Sequence, residues 1–456
     1  MAKVSLVVLI VMGAWNCAPP PLSQEFIPPL HLESPVIIIP GAMGTQLMDP
    51  QTGKVVWGKI LDLKAMNPHE ALINPQVDGL EFPIDARPIH ENRDRLVPIS
   101  ELTSFQMINR ILEVKVYRKL FKSLSSCGLK EGNIRQCSID ANLFFFPYDW
   151  KRDPVESAIL LGERIDEIKR VYKNPGLKVT LIAHSMGGMI AKYYLMYGKK
   201  DVITNVSELD QLPEPDYSGA RNVDKVFFLG TPHQGSAHAF KALHEGEYLM
   251  PFVSASSWAT FTMPAIYEML PLDSKSLFVD PLGNPVALDV FDIETWTQYG
   301  IGIFSESEWE SFERECAILF PNRSPDLAHE KWLDFRDFVQ AALERGKRFQ
   351  YAVAKMNWGK METEYYIVAG KCNPTLSAIE FRVLESGKAE IRAVKRKLLR
   401  ERYYFTDKGD YTVLYRDQLS EIDSASGVLI GCFAHWKMPS YPDVQQMIIE
   451  NLRTRR

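Results

Sequence analysis

Cysteine is scarce in this sequence, six in 456 residues, and no two cysteines stand in the C-x-x-C spacing of common zinc and dithiol-redox motifs. Internal repeats and low-complexity tracts are missing, which excludes solenoid and repeat architectures. There is no surplus of positive charge. The net charge is −5, so nucleic acid has no electrostatic reason to bind. Beyond the N-terminus no apolar run is long enough to span a bilayer. No motif implies a metal or an organic cofactor. What remains is ordinary globular composition, 46% hydrophobic and 24% charged. The length suits one large α/β domain with insertions, or two to three domains.

The N-terminus departs from this pattern. Met1-Ala2-Lys3 precedes an apolar run from Val4 to Met12, then Gly13-Ala14-Trp15-Asn16-Cys17. A short basic start and a brief apolar core predict a secretory leader over 1–17. Cys17 is the candidate for lipoprotein-type lipidation, against plain cleavage or a retained anchor. A buried first strand is the remaining alternative, disfavoured by Pro19-Pro20-Pro21 just beyond, in a Pro-rich connector over 18–34. In an exported chain some cysteines would pair. By separation Cys127 with Cys137 is the most plausible pair, and free buried thiols are the equal alternative.

Continuous apolar runs mark buried strands at Val36 to Ile39, Asn142 to Phe146, Lys178 to Ala183, Lys225 to Leu229, Tyr365 to Gly370 and Gly427 to Phe433. Helical spacing marks Ile111 to Ser125 and Val155 to Tyr172. Strand and helix alternate, which predicts a parallel sheet with crossover helices. Two stretches break the rhythm. Residues of about 49–110 are irregular and lid-like; 240–355 are rich in Trp, Phe and Met and read as a cap whose exposed apolar residues would suit a lipid. The core is therefore expected in two parts, 35–239 and 356–456. Within 378–404 the residues Lys395, Arg396, Lys397, Arg400 and Arg402 form a basic cluster, able to meet anionic head groups but more commonly a solvated face.

The most informative stretch is Leu181-Ile182-Ala183-His184-Ser185-Met186-Gly187-Gly188. An apolar strand enters it and an Ala/Leu/Tyr-rich helix leaves it, the context of a nucleophile elbow, with Ala183 at the usual first glycine. Ser185 would then sit at a helix N-terminus, where the N–H of Met186 can stabilise an oxyanion. The loop Pro40-Gly41-Ala42-Met43-Gly44 after the first buried strand is the candidate source of a second donor, the N–H of Ala42. A serine hydroxyl is a weak nucleophile and needs a histidine and an orienting carboxylate. Five histidines follow Ser185, and of these only His435 comes just after a credible last strand. Asp410, in a Gly-Asp turn, is the candidate acid, with Asp407 its rival. His184 and His233 read as supporting residues.

Several spaced motifs resemble the lecithin:cholesterol acyltransferase family, which includes lysosomal-type phospholipases A2 and bacterial relatives. They are Pro35-Val36-Ile37-Ile38-Ile39-Pro40-Gly41-x-x-Gly44, Trp57 at a lid position, Pro147-Tyr148-Asp149-Trp150 with Lys151 in place of arginine, His184-Ser185-Met186-Gly187-Gly188, Gly409-Asp410-Tyr411-Thr412-Val413 with Tyr411 in place of glycine, and His435 with Pro439 and Asp443. The resemblance covers most of 35–445 and is weakest over 240–400. It implies an α/β-hydrolase fold, a mostly parallel doubly wound sheet with inserted cap and lid regions. It also implies Ser185, Asp410 and His435 as a triad, Ala42 and Met186 as oxyanion donors, and Trp57 and Trp150 at the substrate. The expected activity is hydrolysis or transfer of lipid acyl esters at a membrane or lipid-particle surface, by an exported protein. A non-lipid carboxylesterase or thioesterase, and a catalytically silent lipid-binding protein, are the alternatives. The acyl acceptor and the oligomeric state are left open.

Overall fold

The computed structural model describes residues 8–10, 34–57, 89, 94–101, 105–107, 110–112, 116–250, 253–255, 257–274, 277–306, 308–310, 326–391, 404–420 and 422–453. At its centre is a sheet of eight strands. They are β1 (Val8–Ile10), β2 (Val36–Ile39), β3 (Glu131–Asn133), β4 (Leu143–Phe145), β5 (Val179–His184), β6 (Val223–Leu229), β7 (Glu364–Gly370) and β8 (Gly427–Gly431). Their order in space is β1-β8-β7-β6-β5-β2-β4-β3, and every neighbouring pair is parallel. Parallel neighbours require crossovers. Among the helices that flank the sheet are α1 (Val116–Ser126), α2 (Pro154–Val171), α3 (Met186–Tyr197), the long α4 (Asp326–Ala354) and α5 (Pro442–Arg453). The chain leaves β2 toward β3 and β4 and returns to β5 on the other side of β2. The strand order reverses between β2 and β5, the position where open α/β sheets hold ligands.

Side-chain alternation along the strands builds two cores. Ile37, Ile39, Leu181, Ala183, Val226 and Phe228 face one side, with Ala191 and Leu195 of α3 and the cap aromatics. Val36, Ile38, Ile182, Phe227 and Leu229 face the other, against Leu120, Phe121 and Leu124 of α1 and Val444 and Ile448 of α5. Burial on both faces is why these strands read as unbroken apolar runs. The helix expected from Ile111 begins instead at Val116, and Arg110–Leu112 pairs with Phe105–Met107 as a two-stranded ribbon.

One further expectation changes. The disulfide joins Cys372 to Cys432, while Cys127 and Cys137 are free thiols. The reason is topological: Gly370 and Gly431 are register partners on adjacent strands, so the residues just beyond them meet although 60 residues apart. Over 240–355 the residues Leu282, Leu333 and Tyr351 are exposed, while other aromatics pack inward. Phe240, Phe261, Phe278 and Trp296 are buried and touch one another, with ring centroids 4.9 Å apart for Phe240–Phe278 and 5.6 Å for Phe261–Trp296. Burying an aromatic side chain outweighs anything its exposure would gain. Within 1–17, Val8–Ile10 pairs with β8 as an edge strand. The rest of 1–17, the connector over 18–33, Cys316 and the basic cluster at 395–402 fall outside the described residues.

Candidate active site

The turn after β5 has the form its sequence implies. Ser185 takes φ 54° and ψ −127°, a strained conformation for a residue with a Cβ, and α3 begins at the next residue. Its own N–H is held by the carbonyl of Leu229 at 2.9 Å. Close approach dictates the glycines around it. A Cβ at Gly187 would lie 2.4 Å from the carbonyl oxygen of Pro40, and one at Gly41 would lie 2.8 Å from Cβ of Ser185. The Gly41 loop and the serine turn are thus in van der Waals contact. Ala183, fully buried between Ile39 and Phe228, meets the same steric limit without being glycine.

Ser185, His435 and Asp410 form a hydrogen-bonded line across 250 residues of sequence. The Ser185 hydroxyl lies 2.7 Å from Nε2 of His435, and Nδ1 of His435 lies 2.6 Å from Oδ2 of Asp410. Asp410 is fully buried. Its Oδ1 accepts the N–H groups of Thr412 at 3.0 Å and Val413 at 2.7 Å, and its carbonyl accepts the N–H of His435 at 2.9 Å. Asp407 sits three residues earlier on the strand Tyr404–Gly409, exposed, with its carboxylate on the N–H of Lys408. Of the two aspartates, the structure brings only Asp410 to the histidine. Tyr411, the departure from glycine, keeps φ 84° and stacks its exposed ring 5.7 Å from Trp436.

The Gly41 loop is a tight turn, with the N–H of Gly44 on the carbonyl of Gly41 and Met43 at φ 64°. The N–H of Gly41 donates to Tyr117 Oη at 2.8 Å. The N–H of Ala42 has no protein acceptor among the described residues. Met186 is the first residue of α3, so its N–H has no intrahelical acceptor either. Both candidate donors are therefore available.

Trp57 and Trp150 come together, but inside the protein. They are buried, with centroids 5.5 Å apart, and the indole N–H of Trp57 donates to the carbonyl of Met43 at 2.9 Å. Tyr148 Oη donates to the carbonyl of Pro40 at 2.7 Å. The Pro147–Trp150 segment and Trp57 thus brace the Gly41 loop from behind. Buried Lys151 pairs with Asp94 and with Asp149, 3.5 Å away, tying this segment to the chain beyond the lid.

Tyr117 was not legible as a site residue. Its hydroxyl also lies 2.7 Å from Nδ1 of His184, whose Nε2 lies 3.0 Å from the carbonyl oxygen of His435. Burial, then the nearby His435, pushes His184 down to about 3, so this imidazole is neutral at any physiological pH. His233 has its backbone N–H on the carbonyl of Asp417 at 2.9 Å and its ring edge-on to Phe228. Burial holds it neutral too. A cleft of about 840 Å³ between cap and core is lined by Lys192, His233, Gln350 and Asp417, and it excludes Ser185 and its partners. No cluster of metal-ligating side chains occurs among the described residues.

Known proteins share parts of this sequence and its fold. Residues 100–413 match the family profile described as Lecithin:cholesterol acyltransferase. An uncharacterized protein of Saccharomyces cerevisiae is 25% identical over 296 residues, covering 64% of this chain and 38% of the yeast protein. Phospholipase A(1) LCAT3 of Arabidopsis thaliana is 24% identical over 262 residues, 52% of each chain. The human lysosomal phospholipase A and acyltransferase is 30% identical over 104 residues, 22% of this chain and 21% of its own. The match thus spans about half or less of these relatives' lengths. A solved structure described as the Tle4-Tli4 complex superposes with a TM-score of 0.55 over 92% of this chain and 98% of its own, at 12% identity, a likeness of fold. With a matched profile over most of its length and the α/β-hydrolase architecture around Ser185, this chain belongs to the lecithin:cholesterol acyltransferase family.

Proposed function

We propose that the protein is a serine-dependent enzyme that hydrolyses or transfers the acyl groups of lipid esters, phospholipid or another glycerolipid in the first instance. One observation carries the reading: the unbroken line Ser185 Oγ, His435 Nε2, His435 Nδ1, Asp410 Oδ2 at 2.7 and 2.6 Å. His435 removes the proton of Ser185 as Oγ attacks the ester carbonyl, and then gives that proton to the departing alcohol. The negative charge on the carbonyl oxygen is met by the N–H groups of Ala42 and Met186. An acyl-enzyme results. Water or an alcohol, deprotonated by His435, takes the acyl group and frees Ser185. Asp410, dry and accepting three hydrogen bonds through its carboxylate, fixes the His435 tautomer that has its proton on Nδ1.

The lipid preference is supported by family membership and by relatives named as phospholipases. Trp150, whose buried indole N–H has no acceptor among the described residues, and Trp57 are proposed to border the bound substrate, with 240–355 as its cap. Export is supported by the apolar start of the sequence and by the Cys372–Cys432 disulfide, a bond that persists in oxidising compartments. Among the described residues, removal of a leader over 1–17 would take away β1, an edge strand.

A fluorophosphonate probe tests the nucleophile. Wild type is expected to be labelled and Ser185→Ala not; equal labelling of both sinks the assignment. Phospholipid vesicles, with and without an added long-chain alcohol, test the substrate. Free fatty acid or a new ester is the expected product. Turnover of short p-nitrophenyl esters alone, falling with chain length, would instead make it a non-lipid carboxylesterase.

A further inference from the structure

We propose that Tyr117 and His184 are positioning residues for this site, coupling the Gly41 loop to the main chain of His435 through one neutral imidazole. The proposal rests on the reading of Ser185, His435 and Asp410 given above. Three hydrogen bonds make the connection: Gly41 N–H to Tyr117 Oη at 2.8 Å, Tyr117 Oη to His184 Nδ1 at 2.7 Å, and His184 Nε2 to the carbonyl oxygen of His435 at 3.0 Å.

The proton positions follow from the chemistry of the end groups. A carbonyl oxygen only accepts, so Nε2 of His184 carries the hydrogen. Nδ1 of the neutral ring is then an acceptor, and the Tyr117 hydroxyl donates to it. The phenol oxygen is left to accept from Gly41. Only the uncharged His184 satisfies all three bonds and also gives the phenol hydrogen an acceptor. Protonation would put two donors on Tyr117 Oη and leave its own hydrogen without an acceptor. Burial agrees: His184 and Tyr117 are 6% and 5% exposed, and burial also drives the tyrosine's pKa upward.

The relay reaches both halves of the chemistry. Its Gly41 end is one residue from the proposed oxyanion donor Ala42. Because the Gly41 N–H is turned onto Tyr117, the next amide along the chain is left for the substrate. Its other end grips the carbonyl of the base itself, while Asp410 holds the N–H of the same residue at 2.9 Å. His435 is thereby fixed at backbone and ring. His184 does not touch the ring nitrogens of His435, which are engaged by Ser185 and Asp410, so it has no path to act as a second base. Small displacements of groups held this way change rates steeply, since catalysis depends on pre-set geometry.

The test compares Tyr117→Phe, His184→Ala, His184→Asn and His184→Gln with wild type and Ser185→Ala on p-nitrophenyl butyrate. Tyr117→Phe keeps the ring and loses the bridge; its kcat is expected to fall roughly tenfold or more with KM within about twofold. Asn can still accept from Tyr117, and Gln can still donate to the His435 carbonyl. Each is expected to retain more activity than Ala. In ¹⁵N-histidine spectra His184 should show the Nε2–H form from pH 5 to 8, with Nδ1 shifted in Tyr117→Phe. If Tyr117→Phe keeps full kcat, or His184 titrates across that range, the proposal is overturned. If kcat falls only as far as the folded fraction falls in melting curves, the role is structural and the proposal is again overturned. A wild type no more active than Ser185→Ala fails the underlying reading instead, and the positioning role falls with it. Should His184→Ala not fold, Tyr117→Phe and the spectra decide alone.

Discussion

Asp410 and Asp407 stand three residues apart, and the difference between them is the difference between a dry carboxylate and a wet one. Asp410 is closed off from solvent, accepts two backbone N–H groups on one oxygen and the imidazole on the other. Asp407 is exposed on the preceding strand, opposite Thr375. Replacing Asp410 by Asn keeps the shape but offers His435 the wrong tautomer, so kcat is expected to fall by about 10³ to 10⁴. Asp407→Asn is expected to stay within about twofold. Steady-state rates on one soluble ester, with both variants side by side, decide the matter; equal losses would move the acid elsewhere. On sequence alone the two were rivals because only strand register separates them. Ser185 needed no such help. Its strand, turn and helix are contiguous, so the whole motif is written in one local stretch. Tyr117 is the opposite case. It reads as one more residue on an apolar helix stripe, and its hydroxyl acquires meaning only by reaching Gly41, 76 positions away.

Among elements, β7 and β8 carry the most consequence per residue. They run in parallel, and the chain beyond β7 forms the outer strand Asn373–Val383, against which Tyr404–Gly409 leads to Asp410. The chain beyond β8 reaches His435 in four residues. Cys372–Cys432 joins the two exits, and Asn373 Nδ2 adds a hydrogen bond to the carbonyl of Phe433 at 2.9 Å. The clamp sits where the segments leading to Asp410 and His435 leave the sheet. The double substitution Cys372→Ala, Cys432→Ala is expected to lower stability by about 2–4 kcal/mol, with Cys137→Ser within about 0.5 kcal/mol of wild type. Chemical denaturation without reductant measures both. A non-reduced peptide map showing Cys127 linked to Cys137 would contradict the pairing. Spacing favours that pair because its cysteines stand ten positions apart. The strand order that joins Cys372 to Cys432 is a property of the whole sheet and has no local signature. The same holds for the cap aromatics. A run rich in Trp and Phe predicts apolar surface but not whether its neighbours will cover it.

For the whole molecule, the question is how the stretch 240–355 is fastened to the sheet and its helices. Much of the answer is one buried charge cluster. Arg345, on α4, reaches Asp153 at the N-cap of α2, Asp201 at 3.0 Å and Thr204 at 2.8 Å. Glu268, in the cap, is 1% exposed, with its carboxyl 3.8 Å from Arg345 Nε. Two carboxylates are already committed to the one guanidinium. Burial, reinforced by the nearby Asp153, therefore raises Glu268 well above its ordinary value of 4.5, in the direction of the neutral acid. The sign follows from proton uptake. Above about pH 4.5 the unfolded chain releases this proton and the folded chain keeps it. The contribution is thus full at or below that pH and is lost as pH rises toward the folded value, by about 1.4 kcal/mol per pH unit in the window. Glu268→Gln is uncharged in both states and escapes the penalty. It is expected to match wild type near pH 4.5 and to exceed it in stability as pH rises above that, as read from denaturant midpoints at each pH. An equal gap at every pH would mean that Glu268 is ionised in the fold and that the cap is held by a fully charged cluster, the costlier arrangement for groups this dry.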